Sequence, residues 1–127
     1  MLDDHDGERK VTMEIKNAKI TDTMLGREDH GIMTFMIYVD ISESGSCGIG
    51  GWALDGYDRE TQSRVFSAKG AEVISKILDV VGVDTWEQLS GTYIRVKDRG
   101  WGETIDEIGN LMTNKWFNLR DFFSEGE

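Results

Sequence analysis

Residues 31–41, "GIMTFMIYVDI", place Met33, Phe35, Ile37, Val39 and Ile41 on one side of an extended chain and Thr34, Met36, Tyr38 and Asp40 on the other. Apolar residues at a period of two are the signature of a half-buried β-strand. Met36 and Tyr38 make the second face semi-apolar, which predicts partial cover there as well. Upstream, "KVTMEIKNAKI" (10–20) alternates at Val11, Met13 and Ile15 and then continues on Ala18 and Ile20. The change of parity predicts a bulge near Asn17. Downstream, "ISESGSCG" supplies turn residues, and "CGIGGWALDGY" reads as a third strand with Trp52 and Leu54 on one side. Three strands this close in sequence form an antiparallel meander.

The pattern then changes. In "SAKGAEVISKILDVVGV" (67–83), Ala71, Ile74, Ile77, Leu78 and Val81 recur at helical spacing. Ser67 is placed to cap its start and Gly82 to stop it in a left-handed conformation. "DTWEQLSG" predicts a very short helix, with Asp84 and Glu87 at capping-box spacing. "TYIRVK" alternates again, "GETIDEIGNLM" is a weaker strand, and "NLRDFF" predicts one helical turn capped by Asn118. This order predicts an α+β fold, an antiparallel sheet packed on one long and one or two short helices. A single domain is expected over 11–127, with residues 1–10 as a frayed tail.

Composition narrows the function classes. The 127 residues suffice for one domain. No apolar run approaches the roughly 20 residues that span a bilayer, and the acidic start "MLDDHDGERK" is the opposite of a secretory signal. One cysteine, Cys47, fits a reducing cytoplasm. With His5 and His30 it cannot build a four-ligand zinc site, so no metal or cofactor is expected. A net charge of −10 argues against binding to DNA or RNA, which needs a basic surface. It leaves room for a small anion held by a few arginines and backbone N–H groups.

Two sequence features bear on chemistry. "GSCGIGGW" looks like a phosphate-binding fingerprint, but that motif requires a helix after it, and a strand follows here. These glycines read as turns, bulges or close backbone approach. The second feature is the knot Leu25-Gly26-Arg27-Glu28-Asp29-His30-Gly31. Glu28, Asp29 and His30 are acid–base types, yet adjacent residues rarely converge on one atom and no nucleophile motif lies nearby. The knot also reads as a plain charged hairpin with Gly26 and Gly31 relieving the backbone. A third reading is an anion grip of inward-facing amides, with Arg27 as a charge-assisted clamp. Of the tryptophans, Trp86 and Trp101 are placed for partial exposure. A base held between a ring and a cation gains about 1–3 kcal/mol, and Arg64, Arg95 and Lys115 are candidates for that cation.

The segments "IKNAKITDTMLGREDHGIMTF", "GIGGWALD", "ISKILDVVGVDTWEQLSGTYIRVK" and "IGNLMTNKWF" resemble a family of small phage and prophage proteins over about Val11 to Phe123. Within it, the chain resembles the anti-Thoeris sponge proteins, which sequester a cyclic ADP-ribose signal in the host bacterial cytoplasm. That resemblance implies an α+β protomer in a homodimer or larger homo-oligomer. It implies binding without turnover of a cyclic ADP-ribose isomer and, in some relatives, of cyclic di- or trinucleotides. The phosphate grip would lie at Leu25 to Gly31 and the adenine stack at Trp86, helped by Arg64, Arg95 and Lys115. Lys115 stands where an arginine would be expected, and lysine stacks less well. Two other classes compete: an acidic mimic of nucleic acid that inhibits a restriction or CRISPR complex, and a small hydrolase or cyclase using Glu28, Asp29 and His30.

Overall fold

The computed structural model describes residues 13–100 and 102–124, without the side chains of Glu28 and Asp29. The expected tail at 1–10, Val11 and Trp101 lie outside the described residues. Among the described residues, eight strands and two helices follow in the order β1 (Glu14–Asp29), β2 (Ile32–Ile41), β3 (Gly45–Ala53), β4 (Asp55–Asp58), β5 (Ser63–Phe66), α1 (Ala68–Val81), β6 (Tyr93–Asp98), β7 (Glu107–Asn110), β8 (Trp116–Asn118) and α2 (Leu119–Ser124). A short 3₁₀ turn, Trp86–Gln88, precedes β6. The fold is α+β. Its antiparallel six-stranded sheet has the order β3-β2-β1-β6-β7-β8, and β4 and β5 form a separate hairpin.

β2 organises the core as its alternation requires. Phe35, Ile37, Val39 and Ile41 are buried, with Ala18 and Ile20 of β1, Ile49 of β3, Ile94 and Val96 of β6 and Ile108 of β7 around them. α1 closes this inner face with Gly70, Val73, Ile77, Val80 and Val81. The buried stripe is therefore rotated from the expected one, since Ala71 is exposed and Ile74 and Leu78 are only half-buried. Ser67 caps α1 by accepting the Gly70 N–H at 2.8 Å, and Gly82 stops it at φ 91°. Asn110 of β7 then donates to the Val80 and Val81 carbonyls, holding the helix end to the sheet.

The β1 register corrects one expectation. Pairing with β6 runs unbroken from Glu14↔Asp98 through Asn17↔Arg95 to Lys19↔Tyr93, so there is no bulge at Asn17. The extra residue is Thr21, between Ile20↔Val39 and Asp22↔Tyr38. Met13 and Ile15 consequently face outward, 45% and 51% exposed, while Ala18 and Ile20 face the core. On the outer face Met36 and Tyr38 lie over Gly48, where a Cβ would meet Met36 Cε at 2.7 Å. The expected third strand is two strands, β3 and β4, broken at buried Leu54. The 3₁₀ turn is capped one residue later than expected, Gln88 Oε1 accepting from the Asp84 and Thr85 amides at 2.9 and 3.0 Å. Asn118 caps α2 as expected, accepting from Asp121 N–H at 2.9 Å. No helix of the described residues is long and apolar enough to cross a membrane.

The tightest seam is where α1 meets the β3–β4 junction. Ser67 donates to the Leu54 carbonyl through both its N–H, at 3.0 Å, and its hydroxyl, at 3.1 Å. Gly70 lies directly against that carbonyl, leaving no room for a side chain. Gly70→Ala is expected to destabilise the protein by about 1–3 kcal/mol, despite alanine's better helix propensity. Urea unfolding measures it; an unchanged or raised midpoint would mean that the seam is slack.

Candidate functional site

The charged knot is the tip of the β1–β2 hairpin. His30 and Gly31 form a two-residue turn with φ of 53° and 79°, both positive as a type I′ turn requires. Gly31 is needed for that geometry. Gly26 is not at positive φ, and a Cβ there would meet only Met24 Sδ at 4.0 Å. Between Gly26↔Thr34 and Asp29↔Ile32, residues Arg27 and Glu28 bulge out opposite Met33. The segment is therefore strand, bulge and turn, not the closed inward-facing loop expected of an anion grip. Arg27 and His30 are exposed at the tip.

Two of the other expected residues sit at this same end of the sheet. Met33, across from the bulge, donates its N–H to Asp55 Oδ2 at 3.0 Å and accepts from Leu54 N–H at 2.7 Å. Asp55 Oδ1 in turn accepts from Arg64 Nε and Nη2 at 3.1 and 2.8 Å, and its carboxylate is only 3% exposed. The Arg64 guanidinium holds the Asp55 carboxyl below the usual carboxylate range, with help from the Met33 amide. Arg64 thus pins the β4–β5 hairpin beside the β1–β2 tip, its charge largely offset by Asp55. Trp86 meets buried Phe35 edge-on, with ring centroids 6.0 Å apart. Leu25 pairs with Phe35 across the strands and is 40% exposed. Leu25, Phe35 and Trp86 therefore form one inner-face cluster. The Trp86 indole Nε1 is buried there with no hydrogen-bond partner.

Arg95 and Lys115 are elsewhere. Arg95 lies across from Asn17 on β6, and β1 from Asn17 to Leu25 spans roughly 25 Å at about 3.3 Å per residue. Arg95 donates to the Asn110 and Thr113 carbonyls at 2.8 and 2.7 Å, bracing the β7–β8 turn that carries Lys115. Its guanidinium lies 5.0 Å from the Trp116 ring, and Lys97 Nζ lies 4.8 Å from it. The same ring lies over Gly109, where a Cβ would come within 2.7–2.8 Å. Trp116 thus packs against its own chain's cations and its own backbone.

A polar cluster that sequence reading did not single out lies at the opposite end of β1. Lys16 Nζ meets Ser44 Oγ at 2.8 Å and the Asp98 carboxylate at 3.0 Å, and Ser44 donates to Asp98 at 2.8 Å. Asp98 also accepts the Gly100 N–H at 3.0 Å. Gly100, Ser44 and Lys16 together hold the Asp98 carboxyl below its ordinary range, and Asp98 raises Lys16. With Cys47, Glu43 and Glu103 they line a cavity of about 390 Å³. Burial pushes the Cys47 thiol up and keeps it protonated. A lysine held charged is no base, so this arrangement ties strands together and does not activate Ser44. The sequence signal was faint: Lys16 and Asp98 are 82 positions apart, on strands that pair only in the fold.

No family model, no curated protein and no solved structure matches the chain. The site therefore rests on its own geometry.

Because Asp98 is depressed in the folded state, its contribution is present above the unfolded carboxylate pKa of about 3.9 and is lost as pH falls through the lower folded value. Asp98→Asn is expected to lower stability at pH 7 by about 1–3 kcal/mol. The deficit relative to the parent should shrink below about pH 4. Urea unfolding of both proteins at the two pH values tests this; an equal deficit at both would remove the ionic part.

Proposed function

We propose that the protein is a sponge that binds a small host immune-signalling nucleotide, of the cyclic ADP-ribose class, and holds it without cleaving it. In this reading it is a phage-encoded inhibitor of antiviral defence, acting in the host bacterial cytoplasm. Cyclic di- or trinucleotides are further ligands of the same kind. The observation that carries the reading is the convergence of the hairpin tip, the Asp55–Arg64 brace and the Leu25–Phe35–Trp86 cluster at one end of the sheet. Sequestration needs a rigid cation, backbone donors and an aromatic surface, and no nucleophile.

The roles divide by geometry. Exposed Arg27 offers a bidentate clamp for phosphate oxygens, and the bulge at Arg27–Glu28 frees main-chain N–H groups from the regular ladder. Half-buried Trp86 supplies a ring and an unsatisfied donor. Arg64 acts as a positioning residue through Asp55. Arg95 and Lys115 reach a ligand at the hairpin tip only from a second copy, so assembly into a homodimer or larger oligomer belongs to the same reading.

The test incubates the protein with a panel of cyclic ADP-ribose isomers and cyclic di- and trinucleotides. Calorimetry gives affinity, and mass spectrometry identifies what heat-denatured protein releases. Release of unchanged ligand is expected, with Arg27→Ala weakening binding by about tenfold or more. Recovery of a cleaved product would make the protein an enzyme, and failure to retain any member of the panel would end the nucleotide reading.

A further inference from the structure

One edge of the six-stranded sheet is left open by its own chain. β3 is the terminal strand, paired with β2 on one side and with no strand among the described residues on the other. Main-chain groups of a strand point alternately to its two sides. Ser42 donates its N–H to the Asn17 carbonyl of β1 at 3.0 Å, so Ile41 and Val39, out of phase with it, address β3. Ile20 of β1, across from Val39, accordingly gives its own main-chain groups to Gly91 and Thr92. The β3 partners Gly45 and Cys47 point back to β2. Ser46 and Gly48 therefore direct their amides and carbonyls outward, with the Cys47 thiol donating weakly to the Gly48 carbonyl at 3.6 Å.

The open stretch is short and bare. The register shift between Thr34↔Ala53 and Met36↔Gly50 bulges β3 after Gly50, with Gly50 and Gly51 at φ 135° and 98°. A bulge interrupts regular pairing, which leaves Gly45–Gly50 as usable edge. That stretch contains no proline and no charged residue, the devices that usually blunt an edge. It also borders the cavity of about 390 Å³: Gly45, Ser46 and Cys47 line it together with Glu43 and Glu103. Lys16 and Asp98, in the same wall, offset each other at 3.0 Å. Glu43 and Glu103 have no ion pair among the described residues, so the cavity carries their negative charge.

We propose that the Gly45–Gly50 edge of β3 is a docking surface for an extended, basic segment of a partner protein, which adds antiparallel to the sheet and presents a lysine or arginine to the cavity beside Cys47. Ser46 and Gly48 supply the main-chain bonds, as in other cases of strand addition. Residues directly across from each other share a face of the sheet, and Cys47 lies on the inner face, packed against the core. Its counterpart on the added strand forms a non-hydrogen-bonded pair at a Cα separation of about 4.5 Å. The side chain of that counterpart therefore faces the cavity that Glu43 and Glu103 line. Charge selects the occupant. A basic side chain meets two unpaired carboxylates, whereas an acidic segment would set like charges together on a chain of net charge −10. The surface adjoins the β2–β3 turn, at the opposite end of β2 from the β1–β2 tip, and is independent of the nucleotide reading.

The experiment titrates the full chain into a fluorescein-labelled peptide, Thr-Val-Thr-Lys-Thr-Val-Thr, and follows polarisation. A dissociation constant of about 100 µM or tighter is expected. Replacing the lysine by glutamate, or N-methylating the two threonines that flank it, should weaken binding at least about tenfold. N-methylating the lysine, whose amide points away from β3, should leave binding unchanged. Glu103→Lys, at an exposed position, should also weaken binding about tenfold, with an unchanged circular dichroism spectrum. Glu72→Lys, the same charge change on the exposed side of α1, should weaken it less than about twofold. If Glu103→Lys does not fold, the peptide series decides alone. A parent that does not bind the peptide, equal binding of the glutamate peptide, indifference to threonine N-methylation, or equal losses with Glu103→Lys and Glu72→Lys each overturns the proposal. So does release of a second copy of the chain as the peptide binds, seen in sedimentation, because it assigns the edge to self-pairing.

Discussion

Burial of one face of β2 is the constraint from which the rest of the structure hangs. Phe35, Ile37, Val39 and Ile41 are almost fully removed from water, each at about 25 cal/mol per Å² of apolar surface. They can be buried only if α1 lies across them, and α1 approaches closely only because Gly70 has no side chain against the Leu54 carbonyl. That contact fixes where β3 ends, because Leu54 holds Ser67 on one side and Met33 on the other. The β1–β2 tip, the β4–β5 hairpin and the start of the helix are therefore positioned by one junction.

Ion pairs then divide the molecule by role. Arg64 with Asp55 fastens the β4–β5 hairpin, Lys16 with Asp98 fastens the far end of β1 to β6 and the β2–β3 turn, and Arg120 with Asp106 fastens α2. In each, the carboxylate is the more buried partner and the cation the more exposed. The carboxylate's lost hydration is replaced by hydrogen bonds, while the long cationic side chain stays partly in water. On a chain of net charge −10 this consumes cations as fasteners. Arg27 is left exposed beside the hairpin tip.

Most elements were legible in the sequence because their signals are local. The alternation at 33–41, the helical spacing at 67–83 and the caps Ser67, Gly82 and Asn118 each depend on residues a few positions apart. The errors have a common cause. The apolar parity of Met13 and Ile15 resembled a buried face, but hydrophobic residues also occupy exposed strand positions, so parity alone could not place the bulge at Thr21. The α1 stripe was rotated because Gly70 and Val80 face the sheet, and only the packing reveals that a glycine lies at the closest approach. β8 and β5 are short edge elements with little alternation to read.

For the site, the sequence alone determined that a glycine-bounded charged tip precedes the main strand and that aromatics and arginines are available to accompany it. Local chemistry suffices for that, since Gly31 is required by its turn wherever the turn sits. Only the tertiary structure decided which of those residues meet. Arg64 and Trp86 come to the hairpin end through Asp55 and Phe35, whereas Arg95 and Lys115 are carried to the other side of the sheet by β6 and β7. The physical reason is strand order: neighbours in a sheet are chosen by which faces must be buried together, and that choice joins residues from distant parts of the chain.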